Sequence, residues 1–156
     1  MMNAKLALLA GAVLLAACAS NGGKPVPPAP DVPIAGSLPG QDLAPGECGL
    51  FLWTQGTPRR FIYFSRAGGA TAESMLAETR QTLALVRQGG TLFGQFMTEM
   101  DYVTPEGESV SLQITPGDMV DGGQKIASGR FKLLNAGGWE TVIPVAGLRA
   151  CQPDPE

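Results

Sequence analysis

Histidine is absent from the 156 residues, which removes the commonest general base and the commonest metal ligand together. Catalysis would have to rest on carboxylates, lysine, tyrosine, or a serine served by some other base. Basic residues are few, 11 Lys and Arg against 14 Asp and Glu, so the basic stripe that nucleic acid requires is missing. Past the N-terminal apolar run there is no second one near eighteen residues, and no transmembrane helix is expected. Glycine (21) and proline (13) are frequent by contrast, which favours a turn-rich fold over a helical bundle.

The N-terminus is organised differently from the rest. Met1 to Lys5 is a short, weakly basic start, and Leu6 to Ala17 carries no charge and no polar side chain. As a helix that run reaches only ~18 Å, short of a bilayer core of roughly 30 Å. Its layout is that of a secretory leader, with small residues ahead of a cleavage point. The closing stretch Leu15-Ala16-Ala17-Cys18 resembles the lipobox of bacterial lipoproteins. The resemblance covers residues 1–18. It implies a leader over 1–17, cleavage after Ala17, and Cys18 as a diacylglyceryl-modified first residue carrying fatty acyl chains such as palmitate. Ala19, where an Asp would favour the inner membrane, implies the outer membrane. The alternative is an ordinary secretory leader with an incidental cysteine. With Lys5 removed, ten basic residues face fourteen acidic ones, a balance of −4.

Residues 18–46 are expected to form the lipidated terminus and a tether. Prolines at 25, 27, 28, 30, 33, 39 and 45 leave too little apolar surface to offset the entropy of ordering, and they favour extended polyproline II. A proline-rich docking peptide is the competing use. Order returns at Glu47. Residues 48–54 and 59–66 flank a Gly/Pro turn and read as a β-hairpin, with Phe61 and Tyr63 on one face and Ile62 and Phe64 on the other. Because both faces are apolar, a central position is expected. Residues 71–88 fit two patterns. As one helix they align Ala72, Met75, Leu76, Thr79, Leu83 and Val86, with Gly89-Gly90 as a stop; as strands they place Leu83 and Leu85 together. Thr91–Val103 reads as β. Ser109–Thr115 alternates strictly, Val110, Leu112 and Ile114 against Ser and Gln, and is the clearest strand. Residues 116–123 are expected to turn. Strands at 126–134 and 139–145 follow, and Pro144 predicts an edge or strand end, since proline donates nothing to a ladder.

With Cys18 given to lipid, Cys48 and Cys151 remain as an even pair in an oxidising compartment, and a disulfide is the default. One precedes the first strand and the other follows the last, so the bond would clasp the domain's ends. Cys48 as a nucleophile would lack a His partner. Between 99 and 124 there are six acids and no base. Asp118 and Asp121 are weak metal candidates, since hard cations want several convergent oxygens, but turn chemistry explains them as well. Glu99 or Asp101 with Asp118 is a conceivable carboxylate pair for glycoside hydrolysis. Trp53 and Trp139 are candidate ligand-stacking platforms, with core packing the commoner use. Arg59 and Arg60 are candidates for anion binding, or simply a solvated strand end.

The expected architecture is therefore a leader over 1–17, an anchor and tether over 18–46, a mainly β domain over 47–152 and a tail over 153–156. The domain is a small antiparallel barrel or sandwich clasped by a terminal disulfide. The expected function is non-enzymatic and needs no cofactor. It is that of an accessory or binding module, anchored by lipid to the outer membrane on its periplasmic face, with an envelope protein as partner. A lipoprotein inhibitor of lysozyme or protease, similar in size, anchor and disulfide use, is one alternative. A carboxylate-based envelope hydrolase is the other.

Overall fold

The structure, a computed structural model, describes residues 36–154. The lipobox, Cys18 and most of the tether lie outside the described residues. Eight antiparallel strands follow in chain order: β1 Cys48–Thr54, β2 Phe61–Arg66, β3 Thr71–Leu76, β4 Thr79–Phe93, β5 Phe96–Val103, β6 Ser109–Val120, β7 Gly123–Leu134 and β8 Glu140–Cys151. Each pairs with the next and β8 closes on β1, giving a closed up-and-down barrel. Of the two architectures open in the sequence the barrel is the one formed, and closure leaves no sheet edge along most of its wall. One end carries the disulfide and the turns at 67–70, 94–95 and 121–122. The opposite end carries the loops at 55–60, 77–78, 104–108 and 135–139.

Strand alternation fills the interior. Leu50, Leu52, Tyr63, Leu83, Met100, Tyr102, Val110, Leu112, Ile126, Phe131 and Val145 are all buried in one cluster. An eight-stranded barrel is about wide enough to be filled by its own side chains, and this one is packed rather than hollow.

Residues 71–88 are strands, not a helix. Leu76 pairs with Thr79 across a two-residue turn, and Ala72 lies opposite Leu83. Gly89-Gly90 is no helix stop either. Gly89 pairs with Glu99 and the next pair is Leu92 with Met97, so β4 carries a bulge there. Gly90 has φ +79°, and a Cβ on it would fall on Thr98 Oγ1, the atom that accepts Thr91 N at 2.8 Å. The bulge bends the β4–β5 hairpin inward. Phe93 and Phe96 enter the core, and Gly94 reaches the Arg149 guanidinium on β8, a strand adjacent to neither. The hairpin tip thus plugs the disulfide end.

The outer face of β1 and β2 is covered too. Leu38, Phe61 and Phe64 form a second buried cluster with Leu43, Phe51, Trp53 and Met75 at its margin. Leu38 N donates to Phe61 O at 2.7 Å, and Phe61 N donates to Ser37 Oγ at 3.0 Å. Packed chain therefore begins upstream of Glu47, inside the stretch whose composition reads as tether. It also explains why both faces of these strands are apolar. Phe61 and Tyr63 do not share a face: a register shift pairs Leu52 with Tyr63 but Trp53 with Phe61, sending Tyr63 inward and Phe61 outward. The expected turn over 116–123 is mostly strand, since β6 runs to Val120 and only Asp121-Gly122 separates it from β7.

Candidate functional site

Cys48 and Cys151 are register partners in the β1–β8 ladder, with Cα atoms 4.0 Å apart, and are joined by a disulfide. The ladder continues beyond them, as Gly46 N donates to Gln152 O and Gln152 N to Glu47 O. The bond clasps the two ends of the barrel chain at their closing seam.

The acidic candidates are dispersed. Asp118 stands on β6 and Asp121 in the following turn. Among the described residues no three His, Cys, Asp or Glu approach closely enough to hold a metal. Asp101 is committed to Arg87, 2.7 Å away. Glu99 and Asp118 line different surface grooves, so the carboxylate pair is not assembled. The Glu99 groove, of about 510 Å³, is lined by polar side chains of the outer wall, including Gln113, Thr115, Ser128 and Arg130.

The second groove is of different chemistry. It holds about 580 Å³ between β1, β8, β7 and the outer end of β6, with Trp53, Ala146, Leu148, Ile126 and Ala127 along it. Arg59 and Lys125 supply positive charge at its rim and Asp118 negative charge. Trp53 is half-buried and stacks on Phe61 with centroids 5.0 Å apart, so its outer edge is presented by a rigid aromatic row. Arg60 does not join Arg59; its guanidinium lies beside Gly36.

No family model, curated protein or solved structure matches the chain. The site is therefore read from its own geometry.

Trp139 corrects the commoner expectation for a tryptophan, core packing. It sits at the β7–β8 loop and is 77% exposed.

Two buried polar groups escaped the sequence. The hydroxyls of Tyr63 and Tyr102 hydrogen-bond to each other inside the barrel; Tyr63 also donates to Ser65 Oγ at 3.0 Å, and Tyr102 contacts Met100 Sδ at 3.4 Å. Burial pushes the Tyr63 phenol well above its ordinary value, with the neighbouring Tyr102 adding to the effect. Burial raises Tyr102 as well. Both are neutral phenols that satisfy one another in the buried core. Arg149 is the other. It is 9% exposed; among the described residues its Nε has no partner, and its Nη1 reaches only Gln95 Oε1 and Cys151 Sγ, each at 3.5 Å. A guanidinium buried without a carboxylate is costly. The alternation of Val145, Gly147, Arg149 and Cys151 along β8 was the signal that could have placed it inside.

Proposed function

We propose that this chain is a lipid-anchored accessory or binding module of the cell envelope, held at the periplasmic face of the outer membrane, that engages a protein partner through the groove at Trp53. The observation that carries the reading is the contrast between a filled interior and an outer groove that combines an aromatic edge, an aliphatic floor and charges of both signs. Such a rim-and-floor arrangement suits a modest protein interface, where anchoring comes from an aromatic and orientation from rim charges. Lipidation of Cys18 supplies the stable attachment, since several acyl chains hold where one is marginal.

The test is site-specific photo-crosslinking in cells. A crosslinker at Ala146 or Ala127, in the groove, is expected to give one discrete adduct that is absent with the crosslinker at the exposed Val86 on β4, across the barrel, and lost on Leu148→Glu. Adducts that are identical at all three positions, or missing throughout, would sink the reading.

The inhibitor reading has one supporting observation. It asks for an exposed, rigid loop, and Ala136–Trp139 is exposed while Asn135 Oδ1 accepts both Gly137 N and Trp139 N at 3.0 Å. Inhibition assays against lysozymes and bacterial proteases test it directly.

A further inference from the structure

The β7–β8 hairpin overhangs the barrel wall. The β1–β8 pairing ends at Thr54 with Val145, and Gln55 N bonds Pro144 O just beyond it. From Glu140 to Ile143 the strand therefore has β7 on one side and no β1 residue on the other. This makes Pro144 the local edge that its chemistry predicts, although it lies within β8 rather than at its end. The overhang is apolar and open to solvent: Trp139 is 77% exposed, Val142 44% and Leu134 42%.

The tip is also free of charge. From Leu133 to Trp139 the sequence is Leu-Leu-Asn-Ala-Gly-Gly-Trp, and the first charges on either side, Lys132 and Glu140, neutralise each other at 3.1 Å. It is held in shape by the two Asn135 Oδ1 bonds and by Asn135 N donating to Trp139 O at 3.1 Å. A rigid, uncharged turn ending in tryptophan has the composition that sits at a membrane–water interface, where the indole keeps an apolar body and a polar N–H.

The position of the tether supplies the occupant. Chain upstream of Gly36 joins the domain at this same end, because a Cβ on Gly36 would lie 3.2 Å from Arg60 Nη1 and 3.7 Å from Glu78 Cγ, and both residues belong to loops there. From Gly36 the chain runs past Leu38 to the disulfide end before β1 begins. An anchor at Cys18 therefore pulls the Trp139 end, and not the disulfide end, toward the bilayer.

We propose that this end of the barrel rests on the lipid surface, with Trp139 inserted at the headgroup level. The inference rests on the anchored reading of Cys18. One inserted tryptophan binds vesicles weakly by itself, but the 17 residues from 19 to 35 cannot reach beyond roughly 60 Å even when fully extended, which keeps it near the anchor. A covalent connection of that reach raises the local concentration of the second site to the order of millimolar, so weak insertion suffices. The other charges at this end, Arg59, Arg60, Glu78, Glu106 and Glu108, are of mixed sign. Docking therefore needs no anionic lipid.

The experiment uses the full acylated chain, with its intact mass measured first, reconstituted in phosphatidylcholine vesicles with brominated acyl chains. Trp53→Phe leaves Trp139 as the single tryptophan, and Trp139→Phe leaves Trp53. Trp139 emission is expected to shift to the blue and fall by about twofold or more, while Trp53 emission is unchanged. Should Trp53→Phe fail to fold, the difference between the native chain and Trp139→Phe gives the same readout. Unquenched Trp139 in an acylated, vesicle-bound protein overturns the docking and leaves the anchor standing. A mass without acyl chains overturns the anchor and the docking with it.

Discussion

The turn between β3 and β4 gives a prediction whose sign separates the two readings of residues 71–88. Ala77 and Glu78 have φ values of 44° and 65°, and Leu76 pairs with Thr79 around them. A two-residue hairpin with both central residues at positive φ is the type I′ geometry, which prefers Asn-Gly. An L side chain held there costs roughly 1–2 kcal/mol per residue. Glu78→Gly recovers that cost, less about 0.4–1 kcal/mol for the freedom glycine adds to the unfolded chain. Combined with Ala77→Asn, the net gain is expected at about 1–2 kcal/mol. In urea this appears as a higher midpoint with an unchanged slope, and each kcal/mol gained raises the melting temperature by roughly 4–8 °C in a domain of this class. A helix over the same residues would respond in the opposite sense, because glycine in a helix interior loses about 1 kcal/mol against a good helix former. Destabilisation by Glu78→Gly would refute the turn.

Replacing Cys48 and Cys151 together by Ala opens a loop with a sequence separation of 103, worth up to about 4.7 kcal/mol in the chain-entropy model; since the other β1–β8 pairs remain, circular dichroism should show an intact barrel with a lower denaturation midpoint, and an unchanged midpoint would show that the bond adds nothing. Arg149→Met swaps a buried guanidinium that has no carboxylate partner among the described residues for an apolar chain of similar length, and stability should stay level or rise by about 1–4 kcal/mol; a loss of more than about 2 kcal/mol would mean that the charge has a counter-ion. Tyr63 and Tyr102 both have raised folded-state values, so stability is fully present below pH 10 and falls as pH climbs above it, where the unfolded chain releases phenolic protons that the fold retains. Tyr102→Phe should flatten that alkaline decline, read by tyrosinate absorbance during denaturation, and an identical pH profile would exclude the pair as its source.

The β class was legible because it rests on local alternation. Val110, Leu112 and Ile114 are inward and buried as their spacing requires, and the flanking cysteines pointed to neighbouring first and last strands. What was not legible depends on partners distant in the chain. Residues 71–88 place apolar side chains at both the helical and the strand period, and only the pairing of Leu83 with Ala72 settles the choice. Leu38 reads as tether because prolines and glycines surround it. It is buried because Phe61 and Phe64 present an apolar outer row, whose hint was the two-faced hydrophobicity of β2. The tryptophans show the same dependence: Trp53 is backed by Phe51 and Phe61, whereas Trp139 falls where β8 has outrun β1.

Arg149 was within reach of the sequence, by way of the disulfide. Cys48 belongs to the barrel core and Cys151 packs against it, so both seam residues face inward. Side chains two apart on a strand share a face. Once Cys151 is fixed inside, Arg149, Gly147 and Val145 must point the same way, and Val145 is fully buried. Nothing in residue type announces a buried arginine, since the type is ordinarily found at the surface. The parity of a cross-linked strand does announce it, and it places a cation beneath the β4–β5 plug, where the absence of a Cβ on Gly94 makes room for it: one there would sit 2.7 Å from Arg149 Nη1. The same parity places Ala146 and Leu148 outside, along the groove beside Trp53. One covalent bond, correctly read, thus orients both the sealed interior of β8 and the outer surface through which recognition is proposed.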